Sequence, residues 1–337
     1  MKTKIVYCIA TEDKDVYLEQ LAVSLYSLKK NSPQTQAVVL MDSVSYSHLT
    51  EARKKMLMKA DEVKHVDVGD GTGYYRSRML RTTVREHVDG PILSIDSDTI
   101  ILRPLDELDK LEADIAAVQD ANLPEFSELH PTYKRSCYNC NKYFNFRLQD
   151  EPKYFSGGVI FAKDTPSAHE FFREWNKNFI DGHKKGVVGD QQSLAYTNSL
   201  LGHPIHEISG IWNCQMRFGV RFMPQACILH YFVWHSQNES NDTKYCNPLQ
   251  SVSTYKELKE SGNISEDIIK VVENTNLMFD PYTRYIDNDQ MRINNSYSFR
   301  LLSRMSKSWI FRFNESLLKK FYNLRDKELL RKDNRKI

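Results

Sequence analysis

The chain has 337 residues, of which 41% are hydrophobic and 27% charged, with a formal net charge of +2. This composition is typical of a globular protein with a sizeable core, and it excludes a largely disordered chain. The near balance of acidic and basic residues also argues against a nucleic-acid-binding surface that covers the whole protein.

Apolar runs typical of strands alternate with segments of helical periodicity through the first 235 residues. The predicted elements are strand 4–10, helix 13–33, strand 36–42, helix 48–60, strand 61–69, helix 76–88, strand 91–96, strand 113–120, strand 154–163, helix 167–179, a helix starting at 190 and strand 225–234. This order predicts an α/β fold, with a Rossmann-like, mostly parallel sheet covered by helices on both faces. Ligands of such sheets bind at the carboxyl ends of the strands.

The pattern predicts three regions along the chain: an α/β domain over residues 1–235, an irregular or helical extension over 236–290, and a basic amphipathic helical tail over 291–337. The tail has a net charge of +9, which leaves −7 for the rest of the chain. Its apolar residues recur every three or four positions: Leu302, Met305, Trp309, Phe313, Leu317, Phe321 and Leu324. Two interpretations stay open, a helix packed on its own domain and a helix lying on an anionic membrane surface.

The start of the chain lacks the pattern of a signal peptide, and the sequence has no run of 18 apolar residues. We therefore expect a cytoplasmic protein. If the tail binds lipid, we expect the protein to lie at the inner face of the membrane as a peripheral protein. The six cysteines are scattered and suggest no disulfide framework. Cys137 and Cys140 form one CxxC pair, which could be half of a zinc site or a redox pair. Because no second CxxC accompanies it and His130 is the one further ligand nearby, we interpret it as part of an ordinary loop.

Asp96 and Asp98 lie between two apolar runs in "ILSIDSDTIIL", at the predicted carboxyl end of a strand. One interpretation is a polar turn in which a carboxylate accepts backbone N–H groups. A second is a phosphoryl-transfer site resembling that of the haloacid dehalogenase phosphatases, although Ile100 departs from that pattern. A third is a clamp that holds a divalent cation on the diphosphate of a nucleotide sugar.

Several segments together resemble the GT-A fold glycosyltransferases, specifically glycosyltransferase family 8, which includes glycogenin and bacterial lipopolysaccharide galactosyltransferases. In chain order they are "SRMLRTTV", "ILSIDSDTIIL", "YFSGGVIFAK", "GDQQSLA" and "ILHYFVW". The resemblance spans about residues 4–234. It implies a Mn²⁺ or Mg²⁺ site formed by Asp96, Asp98 and His230. The Gly and Lys that follow the histidine in the family are missing here, and Trp234 or His235 are candidate substitutes.

The resemblance also implies a donor site and a pair of catalytic residues. The implied donor-binding residues are Ala10, Thr11, Glu12, Tyr17, Ser77, Arg78, Arg81, Ser97, Asp120, Gly157 and Gly158. Asp190 and Gln191 are the implied catalytic pair near the anomeric carbon. Because an amide is a poor nucleophile, Gln191 favours front-face attack over a covalent intermediate. A helix cap is the competing, purely structural interpretation of Asp190.

The expected function is that of a metal-dependent, retaining glycosyltransferase. It would transfer a hexose from a UDP-sugar to a saccharide or glycolipid acceptor in lipopolysaccharide or capsule synthesis. No nucleic-acid partner is expected, and an anionic membrane surface is the expected partner of the tail. The alternatives are an inverting GT-A glycosyltransferase and a non-catalytic protein that binds nucleotide sugars.

Overall fold

The computed structural model describes residues 1–218, 221–232 and 248–275, and in the tail residues 293, 296–305, 308–314, 316–318 and 320. The chain divides into two compact units, Met1–Tyr285 and Ile286–Ile337. The predicted α/β class is confirmed within the first unit.

Ten strands form two sheets in the described part of the first unit. They are β1 Lys4–Ile9, β2 Ala37–Asp42, β3 Glu62–Val66, β4 Ile92–Ile95, β5 Thr99–Ile101, β6 Ile115–Gln119, β7 Phe155–Ala162, β8 Ile205–Glu207, β9 Cys214–Gln215 and β10 Ile228–His230. The larger sheet has the order β3-β2-β1-β4-β7-β6-β8, and the smaller has the order β5-β10-β9. In the larger sheet only β7 runs antiparallel to its neighbours, β4 and β6, so the sheet is mostly parallel.

Helices cover both faces of the larger sheet. Those of the first unit are α1 Tyr17–Asn31, α2 Ser43–Ser47, α3 Glu51–Met56, α4 Gly73–Thr82, α5 Val84–His87, α6 Tyr133–Phe144, α7 Pro166–Lys184, α8 Gln191–Leu200, α9 Lys256–Ser261 and α10 Glu266–Asn274. The second unit contains α11 Tyr297–Arg304. No helix among the described residues is long and apolar enough to cross a bilayer.

The alternation of side chains along β1 explains the two layers of core. Ile5, Tyr7 and Ile9 pack on one face with the apolar residues of α1, whereas Val6 packs on the other face in the same cluster as the aromatic residues of α7. All of these β1 residues are buried. The same alternation in β4 and β7 makes the sheet a rigid platform, and its strand ends therefore hold their side chains in fixed positions.

Residues 248–275 pack into the same core cluster as α1 and β1, through Leu249, Tyr255, Leu258, Ile268 and Val272. Gln250 donates a hydrogen bond from its amide to the carbonyl of Tyr231, 2.7 Å away, and the hydroxyls of Tyr231 and Tyr255 lie 3.0 Å apart. This segment therefore fixes the chain directly after β10. The boundary predicted at residue 235 lies outside the described residues.

Two local sequence interpretations differ from the structure. The segment holding Cys137 and Cys140, expected to be a loop, lies in α6, whose Cys140 packs with Phe126, Leu148 and Tyr154. Within the described residues 225–232, the last predicted strand covers only Ile228–His230, and its predicted end at 233–234 lies outside them. Helical spacing in α6 was hidden by its many polar residues, because only one narrow face of this helix is buried.

A buried ion pair fastens α3 to α1. Arg53 donates from Nε and Nη2 to the two carboxylate oxygens of Glu19, at 2.8 and 3.1 Å, and both side chains are almost fully buried. Breaking such a pair leaves one uncompensated charge in the core. Removal of one partner is therefore expected to be strongly destabilising.

We expect Arg53→Met to lower the free energy of unfolding by about 3–5 kcal/mol, because Glu19 loses its partner in a buried position. Lys54→Met is the matched control: Lys54 pairs with Glu51 on the surface, and its loss should change stability by less than about 0.5 kcal/mol. Urea unfolding of both variants measures the difference. Equal effects of the two substitutions would contradict this account of the pair.

Candidate functional site

Asp96 and Asp98 lie where β4 ends and β5 begins. The backbone N–H of Asp96 donates to the carbonyl of Gly158 on β7 at 2.8 Å, and the carbonyl of Asp98 accepts from Tyr231 N–H at 3.1 Å. The segment between the strands is thus tied to both sheets. Both carboxylates are half-buried, as the apolar sequence on either side predicts.

His230, the last residue of β10, faces the same two carboxylates. Its Nε2 lies 3.1 Å from Asp98 Oδ1 and 3.8 Å from Asp96 Oδ2. The approach follows from strand pairing, because β10 runs antiparallel to β5 and places His230 opposite Thr99. The structure therefore brings together the three residues that the sequence suggested as metal ligands.

The backbone of Gly158 forms one wall of this cluster. A Cβ atom at this position would lie 2.7 Å from Asp96 Oδ2 and 2.7 Å from His230 Cε1, closer than side chains approach each other. At Gly157 the nearest atom to such a Cβ would be Gln191 Oε1, 3.4 Å away. Gly158 is therefore required by close packing against the cluster, whereas Gly157 has more room.

These three residues fit a divalent cation. One ligand atom from each of Asp96, Asp98 and His230 lies within 4.8 Å of the others, and this is the one such acidic or histidine cluster among the residues that the structure describes. Two carboxylate oxygens and one imidazole nitrogen form a donor set that suits Mn²⁺. Mg²⁺ binds mainly through oxygen ligands and would depend less on the imidazole. A cation would also relieve the repulsion between two neighbouring carboxylates.

Two arginines of α4 compensate the negative charge beside the cluster. Arg81 pairs with Asp96 through Nη2 and with Asp190 through Nη1, the latter at 3.1 Å. Arg78 Nε lies 3.1 Å from the other oxygen of Asp190. Burial acts to raise the pKa of Asp190, but the charges of Arg78 and Arg81 outweigh it and hold this pKa below its ordinary value. Asp190 is thus an ionised, doubly paired carboxylate.

The side chains of Asp190 and Gln191 do not serve as helix caps. Asp190 is the N-terminal cap residue of α8, but its carboxylate accepts no capping hydrogen bond. Gln191 donates from Nε2 to the carbonyl of Phe155 at 2.6 Å and accepts from Gly157 N–H at 3.1 Å. Its amide is therefore held by the backbone of β7, beside the cluster, with both polar atoms occupied.

Three further predicted donor-binding residues surround the arginines and the carboxylates. Ser77 accepts a hydrogen bond from Arg78 Nη1 at 2.9 Å, and Ser97 lies 3.4 Å from the amide oxygen of Gln20 on α1. Burial, and then the charge of Asp15, raise the pKa of half-buried Tyr17. The charges of Arg78 and Asp98 act on Tyr17 as well, so its phenol lies near them.

The end of β1 opens into a cavity of about 300 Å³. Ala10 is buried, and Thr11 and Glu12 line the cavity together with Arg53 and Arg76. Arg53 donates to the hydroxyl of Thr11 at 2.8 Å and to the carbonyl of Glu12 at 3.2 Å. The predicted donor residues of the first strand are therefore held by a guanidinium whose own position is fixed by Glu19.

Asp120 follows β6, two strands beyond β4 in the sheet order. Its Oδ2 lies 3.0 Å from Nε2 of His130, which is buried. The Nδ1 atom of His130 accepts the backbone N–H of Thr132 at 3.2 Å, so the proton of the neutral ring is on Nε2 and is donated to Asp120. Asp120 is thus oriented by a histidine.

The CxxC pair forms no metal site with other described residues. Cys137 and Cys140 are free thiols on α6, and His130, the candidate third ligand, is engaged by Asp120 and Thr132. Burial raises the pKa of Cys140 to about 12. Trp234 and His235, the candidate phosphate contacts, lie outside the described residues.

Sequence reasoning missed several residues that contact the cluster. Asn213 Oδ1 lies 3.1 Å from His230 Nδ1, and the ring of Phe232 stacks on His230 with the ring centroids 3.8 Å apart. The role of His130 beside Asp120 was also missed. Asn213 had no detectable signal, because a single Asn before a short strand has no distinctive spacing. Phe232, by contrast, lies in the segment "ILHYFVW", which the sequence had already singled out.

Comparison with known proteins gives matches among solved structures. The galactosyltransferase LgtC, in complex with donor and acceptor sugar analogs, matches with a TM-score of 0.50 and 15% identity, over 80% of this chain and 99% of LgtC. The glycosyltransferase GlyE of Streptococcus pneumoniae TIGR4 has a TM-score of 0.47 and 16% identity, over 85% and 67% of the two chains. Mouse xyloside xylosyltransferase 1 has a TM-score of 0.45 and 16% identity, over 68% and 97%.

The likeness to LgtC shows that the chain has the GT-A fold, as the sequence motifs predicted. No protein-family model matches the chain, and no curated protein matches it either. At 15% identity the likeness extends to the fold alone. The chemistry therefore has to be argued from the residues of this chain.

We expect Gly158→Ala to weaken Mn²⁺ binding by roughly tenfold or more, because the added methyl group displaces Asp96 or His230 at a cost of about 1–3 kcal/mol. Gly157→Ala is the matched control and should bind Mn²⁺ nearly as well as the unaltered protein. Electron paramagnetic resonance of free Mn²⁺ during titration measures both affinities. Unchanged binding by the Gly158 variant would show that the cluster does not hold the ion.

Proposed function

We propose that this GT-A chain is a metal-dependent glycosyltransferase that transfers a hexose from a UDP-sugar to a saccharide or glycolipid acceptor with retention of configuration. The observation that carries this proposal is the convergence of Asp96, Asp98 and His230 at the carboxyl end of β4. That edge is where open α/β sheets bind their ligands. Such a donor set can hold a divalent ion against a diphosphate.

The metal, when bound, supplies positive charge that stabilises the departing diphosphate. Arg78 and Arg81 lie beside it and supply two more positive charges. Guanidinium groups attract phosphate oxygens, so these arginines favour an anionic donor while they stay paired with Asp190. The charge arrangement thus favours a donor with a dianionic diphosphate, whose negative charge grows as the bond to the sugar breaks.

Retention fits the state of the carboxylates around the site. Asp190 has two arginine partners and a lowered pKa, which makes it a weak base and a weak nucleophile. Gln191 has an amide in place of a carboxylate. In the reaction, the acceptor oxygen forms a bond to the anomeric carbon while the bond from that carbon to the β-phosphate oxygen breaks. The diphosphate leaves with the electron pair and takes the proton of the acceptor hydroxyl.

Asp120 is proposed to bind hydroxyl groups of the donor sugar. His130 donates to one of its carboxylate oxygens, and the carboxylate is about one fifth exposed. An oriented carboxylate can accept hydrogen bonds from neighbouring sugar hydroxyls. The choice of uridine rests on the resemblance of the first-strand segment to glycosyltransferase family 8, and the donor screen below tests it.

The acceptor is proposed to be a lipid-linked or membrane-bound glycan because of the tail. In the second compact unit, which contains the tail, exposed apolar side chains are described for Tyr297, Trp309, Ile310, Phe313 and Leu318. Basic residues are interleaved with them along the sequence. Exposed aromatic and aliphatic side chains with interleaved Lys and Arg suit the interface of an anionic membrane. A lipopolysaccharide or capsule precursor at the inner face of a membrane would meet this description.

We expect the protein to consume one of the UDP-, GDP- or CDP-sugars, most rapidly a UDP-hexose, with Mn²⁺ present and not with EDTA. Asp98→Asn should lower kcat/KM by about 100-fold or more, because the metal contributes several kcal/mol of charge stabilisation. Asp106→Asn, at an exposed position, is the control. Turnover in EDTA, or an Asp98 variant as active as the control, would refute metal-dependent transfer.

NMR of the product reports the anomeric configuration, and inversion would refute retention.

We expect Trp309→Ser combined with Phe313→Ser to reduce binding to phosphatidylglycerol vesicles while sparing donor hydrolysis. Added salt should also weaken binding, since each basic residue near the headgroups contributes roughly 1 kcal/mol. The control is Met58→Ser with Tyr138→Ser, two exposed apolar residues of the first unit. Cosedimentation measures binding, and equal partitioning of the two double variants would reject the membrane role.

A further inference from the structure

His230 is held by a buried amide on the side opposite the carboxylates. Asn213 is fully buried at the end of the segment Gly210–Asn213, and its Oδ1 lies 3.1 Å from His230 Nδ1. The Nδ2 atom of Asn213 finds no hydrogen-bond partner among the described residues. Within the described structure, the side chain of Asn213 therefore forms a hydrogen bond only to His230.

We propose that Asn213 is a positioning residue that makes His230 a nitrogen ligand of the divalent ion. This inference rests on the proposed function, because it presumes a cation between Asp96, Asp98 and His230. The Oδ1 atom of Asn213 accepts the proton on Nδ1, and the neutral ring then has its lone pair on Nε2. That nitrogen faces Asp98 Oδ1 at 3.1 Å.

The orientation of the lone pair has an electrostatic consequence. A nitrogen lone pair and a carboxylate oxygen repel each other at hydrogen-bond distance unless a cation lies between them. Asp96 Oδ2, 3.8 Å from the same nitrogen, adds further negative charge. The geometry set by Asn213 therefore favours a cation at this point. The side-chain amide of Asn213 has the same role as the carbonyl or carboxylate that commonly accepts a hydrogen bond from the second ring nitrogen of a metal-bound histidine.

A network of buried and half-buried amides links Asn213 to the loop after β6. Asn122 donates from Nδ2 to the carbonyl of Asn213 at 3.0 Å and accepts the N–H of Gln215 at 2.7 Å. Gln215, fully buried, accepts from Ala121 N–H at 3.0 Å and donates to the carbonyl of Gln119 at 3.2 Å. Ala121 and Asn122 have φ values of 57° and 52°, in the left-handed region. This backbone is held in place by the amides.

The network connects two parts of the proposed donor site, the sugar-binding residue Asp120 and the metal ligand His230. Asp120, the proposed sugar-binding residue, directly precedes Ala121 and Asn122, and Asn213 reaches His230 at the other end. Any shift of Asn213 would therefore move the imidazole relative to the carboxylates. The network explains why polar residues at these positions are buried in an otherwise apolar region, since each donates or accepts within it.

The alternative arrangement of the same atoms has the opposite consequence. If the amide of Asn213 were turned, its Nδ2 would donate to Nδ1, and the ring proton would be on Nε2. His230 would then donate to Asp98 and could not bind the ion. Asp at position 213 can only accept, whereas Leu at this position can neither donate nor accept. Asn213→Leu therefore separates the two arrangements, because it weakens ion binding only where the native amide accepts from Nδ1.

The test compares Asn213→Asp with Asn213→Leu by titration with Mn²⁺ and with Mg²⁺, each in the presence of UDP. We expect Asn213→Asp to bind Mn²⁺ at least as tightly as the unaltered protein. It keeps the acceptor, and the lost Nδ2 has no partner among the described residues. We expect Asn213→Leu to lose about 10–100-fold in Mn²⁺ affinity, as for other partners of metal-bound ligands. Its Mg²⁺ affinity should fall less, because Mg²⁺ depends mainly on oxygen ligands.

Asn178→Leu is the matched control, since Asn178 is a buried amide that pairs with Thr197 on another side of the sheet. This variant should bind both ions normally. If Asn213→Leu retains Mn²⁺ binding, or if Asn213→Asp loses it, the positioning role is wrong. If the leucine variant does not fold, Asn213→Ala replaces it, because alanine also lacks both a donor and an acceptor and the same loss of Mn²⁺ affinity is expected. If the unaltered protein binds neither ion, the proposed function fails as well.

Discussion

Two carboxylates at one strand end constrain this site more than any other feature. Asp96 and Asp98 lie in a half-buried position between apolar strands, where neighbouring negative charges repel each other. The fold compensates them with Arg81 on α4 and places the imidazole of His230 on β10 beside them. A cation between the carboxylates and the imidazole would complete that compensation. The rest of the site is arranged around these charges.

The positions of these groups follow from strand pairing. β7 runs antiparallel to β4, so its first residues lie beside the end of β4, and Gly158 is next to Asp96. β10 pairs with β5 and places His230 opposite the start of that strand. Residues 248–255 then fix the chain after β10 through Gln250 and Tyr255. Three segments distant in sequence therefore meet within one small volume.

Much of the fold was predictable because apolar periodicity is a local property. The strand ending at Ile95, the helix of α1 and the mostly parallel sheet all follow from runs and spacings of apolar residues. Resemblance to ordered motifs supplied the partner His230, some 130 residues after Asp96. Spacing alone could not have paired these residues, because the small sheet that joins them depends on long-range strand contacts.

The parts that could not be predicted depend on buried polar contacts. Asn213 and His130 act through single hydrogen bonds to His230 and Asp120, and no sequence pattern marks such contacts. The helix α6 was missed because most of its residues are polar and only a narrow face is buried. The backbone hydrogen bonds of Gln191 were likewise invisible, since they depend on where β7 begins relative to α8.

The central claim is that Asp96, Asp98 and His230 together bind a divalent ion. Anomalous X-ray scattering from crystals grown with Mn²⁺ and UDP tests it most directly. The account predicts one strong anomalous peak, in direct contact with an oxygen of each aspartate and with Nε2 of His230, beside the diphosphate. A diphosphate bound without such a peak, or an ion coordinated away from His230, would contradict it.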